Sequence, residues 1–269
     1  GGLFRPIAPV GLHRLLDSCL LFFSVRPPPR KGPSMLPRNL IASAIIPEPN
    51  GPQGQSDELA PGEELRLYQR GDDYSIFVGN WELMNSRATS SEAELAQLAC
   101  DKIAGKPKLR ILIGGLGMGF TLRATLDLVP ADAEVVVAEL VPEVVEWNRT
   151  ILASLAESPL DDPRVQVLTQ DIAQVLRENA RSFDAIISDI DNGPHSKTGP
   201  SEGWLYSRIG LRTLAKAIRR PGVATIWAAG PAKFFGENLR AAGFEVEEVR
   251  ARAKAGKGAR FRIFVAERK

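Results

Sequence analysis

Ile113-Gly114-Gly115-Leu116-Gly117-Met118-Gly119-Phe120-Thr121 decides the fold. It follows the apolar run Leu109–Ile113 and opens a stretch with helical character, Phe120–Leu128. Glycines at this junction let the backbone approach a ligand with no Cβ in the way, and the helix start offers free N–H groups. A glycine-rich turn can also serve strand–helix packing. Further strand-like runs follow at Glu134–Glu139, Val165–Leu168, Phe183–Ser188 and Gly222–Trp227. Helical stretches separate them at about Pro142–Ala156, Ile172–Ala180 and Ser207–Arg219. Such alternation predicts an α/β fold with a parallel sheet covered on both faces. Phe244–Val249 and Arg260–Ala266 then predict an antiparallel edge pair.

Upstream the periodicity differs. Glu64–Arg70, Tyr74–Val78 and Trp81–Met84 alternate like short strands around turns at Gly71-Asp72-Asp73 and Gly79-Asn80. They predict a small antiparallel unit. From Ser90 the spacing of Glu92, Leu95, Leu98, Ala99 and Ile103 predicts a helix. The turn-rich segment from Pro47 to Gly62 reads as linker, and residues 1–34 as an extension outside the main fold, with Met35 a plausible start.

Composition narrows the class. The 269 residues are 44% hydrophobic and 25% charged, with net charge +2, which gives no reason to expect nucleic acid or an anionic membrane as partner. The apolar run Leu15–Val25 is too short to span a bilayer and is interrupted by Asp17. Two cysteines, Cys19 and Cys100, fit a reducing compartment, so a cytoplasmic location is expected. The only histidines are His13 and His195, and without a Cys/His cluster no metal is expected.

Three further positions carry chemistry. Glu139 ends the strand after the glycine loop, placed to accept ribose hydroxyl hydrogen bonds, or to stand as an ordinary solvated carboxylate. Gln170-Asp171 follows the next strand; Asp171 can accept from an adenine amine, cap the following helix, or both. Ser188-Asp189-Ile190-Asp191-Asn192-Gly193-Pro194 lies at the carboxyl end of the fourth strand, where ligands of open α/β sheets bind. Its two acids suit proton removal from a nucleophile or holding a cationic one; the alternative is an Asx-type turn.

The glycine loop, Glu139, Asp161-Asp162-Pro163-Arg164-Val165 leading to Asp171, and the Asp189 motif occur in the order seen in spermidine synthases, and the chain resembles that family over roughly residues 64–250. Glu82-Leu83-Met84-Asn85-Ser86-Arg87, Ser91-Glu92 and Ile113 to Arg123 look like bacterial spermidine synthase-like proteins. The resemblance implies a Rossmann-like, methyltransferase-type fold with a mostly parallel seven-stranded sheet and a small N-terminal β-domain. The expected organisation is linker and small β-domain over 35–88 and a Rossmann-like S-adenosylmethionine-binding domain over 89–269. Gly115, Gly117, Gly119, Glu139, Gln170 and Asp171 are the implied cofactor-binding residues, and Asp189 and Asp191 the implied catalytic ones.

The departures bear on the reaction. Where the family carries an Asp that holds the amine of decarboxylated S-adenosylmethionine, this chain has Gly117. The acidic loop is shortened, and Ser90-Ser91-Glu92 stands near the place of the family's diamine motif. These differences point to a donor that keeps its carboxylate, hence to methyl transfer from S-adenosylmethionine to a small-molecule acceptor. Aminopropyl transfer from the decarboxylated donor is the alternative, and a catalytically silent binding module the alternative of another class. The loop is not G-x-G-x-x-G, which argues against nicotinamide redox chemistry. A homodimer is a possible assembly.

Overall fold

The computed structural model describes residues 37–47, 62–190, 203–228, 232, 234–254 and 257–269, without the side chains of 252–260. The extension over 1–34, Met35, the linker residues 48–61, Asp191 and both histidines lie outside the described residues, as does Cys19.

Four strands form the first sheet: β1 (Asn39–Ile45), β2 (Glu64–Arg70), β3 (Asp73–Val78) and β4 (Trp81–Asn85), antiparallel and in sequence order. The sequence reading has no strand at β1. Its run Leu40–Ile46 carries the β-branched, apolar residues a strand needs. Ala44 and Ile46 are buried in the core, so tertiary packing gives this segment its structure.

The second sheet follows helix α1 (Ser90–Ile103). In chain order come β5 (Arg110–Gly114), α2 (Phe120–Leu128), β6 (Glu134–Glu139), α3 (Pro142–Arg149), β7 (Val165–Thr169), α4 (Ile172–Glu178), β8 (Phe183–Ser188), α5 (Arg208–Ala217), β9 (Ile218–Ala228), α6 (Phe235–Ala241), β10 (Glu245–Lys254) and β11 (Lys257–Arg268). The spatial order is β10-β11-β9-β8-β5-β6-β7, with β11 antiparallel to both neighbours and the other pairings parallel. This is the Rossmann-like α/β sheet with an antiparallel edge. After β5 the chain builds outward through β6 and β7, then returns to place β8 on the other side of β5. That reversal puts a crevice at the carboxyl ends of β5 and β8.

Alternation along the strands builds two cores. Ile111, Ile113, Val135, Val137, Ala185 and Ile187 face the layer that contains α1, α2 and the small sheet's Leu65, Leu67 and Ile76. Leu112, Val136, Ala138 and Ile186 face the layer of α4, α5 and α6. The small sheet thus shares a core with α1 and roofs the crevice from one side.

Two helix ends differ from the sequence expectation. The helix expected to reach Ala156 stops at Arg149. Thr150 donates its hydroxyl to the Glu146 carbonyl at 2.7 Å, occupying the acceptor its own N–H would use in a continuing helix. The helix expected to reach Arg219 ends at Ala217, because Pro221 biases the approaching chain to extended backbone and Ile218 pairs with Phe183 instead. Among the described residues no helix is long and apolar enough to cross a membrane. Burial pushes the Cys100 thiol up to about 12, which makes it unreactive.

Candidate active site

The crevice holds a cavity of about 180 Å³. Gly115, Gly117, Glu139, Gln170, Asp171 and Asp189 all line it, so the structure brings together six of the eight residues singled out from sequence. Gly119 sits one step away as the residue before α2. Asp191 is outside the described residues.

Gly115 is where the two central strands leave least room. Its φ is +83°, and a Cβ there would come within 2.7 Å of the Asp189 carbonyl oxygen. The chain passes this close because Asp189 N–H donates to the Gly114 carbonyl at 3.0 Å, prolonging the β5–β8 ladder into the loop. Gly115→Ala is expected to cost about 1–3 kcal/mol from backbone strain alone, with the contact added. Urea denaturation measures it; unchanged stability would show that the loop is not pinned there.

Glu139 is buried and already employed. Its two carboxylate oxygens accept the Leu116 N–H at 2.8 Å and the Val141 N–H at 2.9 Å. Burial raises its pKa, while the backbone donors oppose the rise. The solvated-carboxylate reading is therefore excluded: Glu139 ties the glycine loop to the end of β6. Asn148, on the buried face of α3, locks the same loop by donating to the Gly117 carbonyl at 2.8 Å. Asp171 caps α4 by accepting the Ala173 N–H at 2.7 Å, and it also borders the cavity.

The Asp-Pro-Arg stretch is structural. Arg164 grips Asp162 through two nitrogens, at 2.9 and 2.7 Å, and donates to the Val129 carbonyl at 2.9 Å. The guanidinium lowers the Asp162 carboxyl to about 2. Neither residue lines the cavity.

Gly117 does not open space for a donor carboxylate. An added Cβ would lie 2.6 Å from Met84 Cε and 2.9 Å from Met84 Sδ. Met84, on β4, fills the volume over the glycine with an apolar thioether.

Sequence reasoning left Glu92 out of the site. It lies in the first turn of α1, is 9% exposed and lines the same cavity as the small sheet's apolar Leu65, Ile76 and Leu83. Ser91 donates to its Oε2 at 2.7 Å. Burial, then the Asp189 charge, raise its pKa from 4.5 to about 7. Asp189 accepts from the Thr121 hydroxyl at 2.6 Å, and burial raises its carboxyl too. Two acids in one poorly hydrated cavity resist ionising together, so the pair is poised to take up a proton or a cation. The signal was present in sequence: Glu92 falls on the same helical stripe as Leu95, Ala99 and Ile103, all buried.

No Lys, Arg or His among the described residues lines the cavity. Nor do those residues include a cluster of three or more His, Cys, Asp or Glu arranged to hold a metal.

A Rossmann-like sheet with a glycine loop at its switch point, roofed by a small antiparallel sheet, is the class this architecture defines. The chain belongs to the spermine/spermidine synthase domain family, whose model matches residues 97–233, about half of its length. A polyamine aminopropyltransferase of Mycobacterium tuberculosis is 28% identical over 172 residues, covering 63% of this chain and 31% of that protein. Polyamine aminopropyltransferase 1 of Hyperthermus butylicus is 32% identical over 131 residues, covering 48% of this chain and 43% of that one. The chain thus spans about a third of the length of the M. tuberculosis relative. The crystal structure of spermidine synthase from Thermotoga maritima superposes with a TM-score of 0.63 at 19% identity, covering 84% of this chain and 73% of that one, a likeness of fold.

Proposed function

We propose that the cleft transfers an aminopropyl group from decarboxylated S-adenosylmethionine to an amine. The observation that carries this reading is the Glu92–Asp189 pair in a cavity whose described lining has no cationic side chain. Along the described lining a donor carboxylate would meet carboxylates and no counter-charge, whereas a decarboxylated donor and an amine acceptor bring only cationic groups to the acids. The curated relatives, named as polyamine aminopropyltransferases, support the same choice and lend no support to methyl transfer. Gly117 had pointed the other way, toward a donor retaining its carboxylate. Met84 packs over Gly117, so that end of the loop is apolar and carries no charge to select either donor.

On this reading the chain's residues divide the work. Gly115 and Gly117 let the loop run close to the nucleoside, Glu139 offers lone pairs to the ribose, and Gln170 and Asp171 border the base. The bound donor supplies a sulfonium leaving group. Asp189, oriented by Thr121, takes the proton of the attacking amine, and Glu92 shares it.

Calorimetry with the two donors tests the choice. The decarboxylated form is expected to bind at least about tenfold more tightly than S-adenosylmethionine. Equal or tighter binding of S-adenosylmethionine would return the reaction to methyl transfer.

A further inference from the structure

In the turn Gly117-Met118-Gly119 both glycines have positive φ, +53° and +83°, and neither has a side chain to hold it. Left to itself such backbone takes many shapes. One residue outside the loop meets both glycines. Asn148 of α3 is 1% exposed, and its Nδ2 donates to the Gly117 carbonyl at 2.8 Å and to the Val144 carbonyl at 2.9 Å. Two carbonyl partners fix which way the amide faces, because a turned amide would set its oxygen against both. Oδ1 is thereby sent to the other glycine. A Cβ added at Gly119 would lie 3.0 Å from Asn148 Oδ1, 3.2 Å from Pro159 Cγ and 3.4 Å from Ala156 Cβ. That oxygen is buried with no hydrogen-bond partner among the described residues. A buried acceptor left unpaired costs stability, so packing alone does not account for an amide at this position.

We propose that Asn148 is a positioning residue for the donor: one amide holds the Gly117 carbonyl and fills the space over Gly119, so the loop has its donor-binding shape before the donor arrives. In a trans peptide the carbonyl and the following N–H point opposite ways, so holding the Gly117 carbonyl also fixes the direction of the Met118 N–H. Gly117 lines the cavity, so this control is exerted on a surface the ligand meets. Residue 119 must then be glycine for the sake of the amide as well as of the backbone. A side chain there would push Asn148 off Gly117. Asp189 is tied to the loop's flanks instead, through the Gly114 carbonyl and the Thr121 hydroxyl, and is left in place. The assignment rests on the loop being the donor's and is indifferent to which group the donor transfers.

Asn148→Leu keeps much of the side chain's shape and removes its donor. Calorimetry with decarboxylated S-adenosylmethionine, S-adenosylmethionine and the adenosyl thioether product is expected to show a loss of about ten- to hundredfold for each ligand the parent binds, because the turn must then be ordered on binding. In single-turnover transfer to 1,4-diaminobutane at saturating donor, the rate should stay within about threefold, a KM effect without a kcat effect. A lower melting temperature with unchanged donor affinity reduces Asn148 to a structural part and overturns the proposal. A double-mutant cycle tests the link between the glycines without that variant. Gly119→Ala alone should weaken the product at least about tenfold, and combined with Asn148→Ala it should lose less than the product of the single effects, by at least about threefold. Full additivity contradicts the link. Preference for S-adenosylmethionine, with the same loss in the variants, sinks the aminopropyl reading and leaves Asn148 its role. Preference for the decarboxylated form with no loss in the variants does the reverse.

Discussion

Asp189→Asn is expected to lower the rate of transfer by roughly 10²–10⁴, the usual scale for losing a general base, while donor affinity stays within a few-fold. The side chain has one described hydrogen-bond partner, the Thr121 hydroxyl, and an asparagine oxygen can accept that bond with the same geometry. The backbone N–H of residue 189, which donates to the Gly114 carbonyl, is untouched. The fold and the glycine loop should therefore survive. What goes is a carboxylate able to receive the amine's proton. The substitution also removes the charge that helps raise Glu92, so the acidic limb of any residual pH–rate profile should move to lower pH. Single-turnover kinetics beside donor calorimetry separates the roles. Abolished donor binding at a normal melting temperature would place Asp189 in the donor half and contradict the proton-acceptor role. An unshifted acidic limb would show that the two acids are not coupled.

How much of this site could be read in the sequence depended on whether its parts were local. The glycine loop, the strand-end Glu139 and the Asp189 turn each follow directly from a strand, and strand-to-helix junctions are visible as a change of period. Their convergence at the β5–β8 crevice follows from strand order, which the family resemblance supplied. The acid on α1 was seen near the place of the family's diamine motif but was not counted among the site residues. Glu92 sits on a helix outside the alternating βα units, and only packing shows that this face meets the carboxyl end of β8. Met84 was hidden for a similar reason. Its contact with Gly117 joins two sheets, and nothing in the loop's spacing announces that a thioether from β4 covers it. The expectation of S-adenosylmethionine as donor rested on the missing acid at Gly117 and not on this contact. β1 was lost to its neighbours: the Pro47-Glu48-Pro49-Asn50-Gly51 turn cluster made its surroundings read as linker, although Ala44 and Ile46 pack into the core.

Glu92→Gln is expected to stabilise the protein at alkaline pH while weakening amine binding, and the sign follows from the direction of the pKa shift. The folded carboxyl titrates near 7 and the unfolded one near 4.5. Below 4.5 both states hold the proton, and burying the neutral acid carries no charge penalty. As pH rises through the window from 4.5 to about 7, the unfolded chain ionises freely while the folded one resists, so stability falls. At about 1.36 kcal/mol per unit the full loss is on the order of 3 kcal/mol. A glutamine cannot ionise, and Ser91 can still donate to its carbonyl oxygen, so the variant should not show this decline. Urea unfolding of both proteins at pH 4.5 and 8 measures the difference. It should be small at the acidic end and approach that limit at the alkaline end. A gap that does not widen with pH would show that Glu92 is hydrated and titrates as an ordinary surface acid. The same charge that weakens the empty protein is what an incoming ammonium would neutralise. A saturating amine should therefore recover most of the loss in the parent protein and little in the variant. The stability given up at Glu92 is then the measure of how strongly the cavity selects a cation.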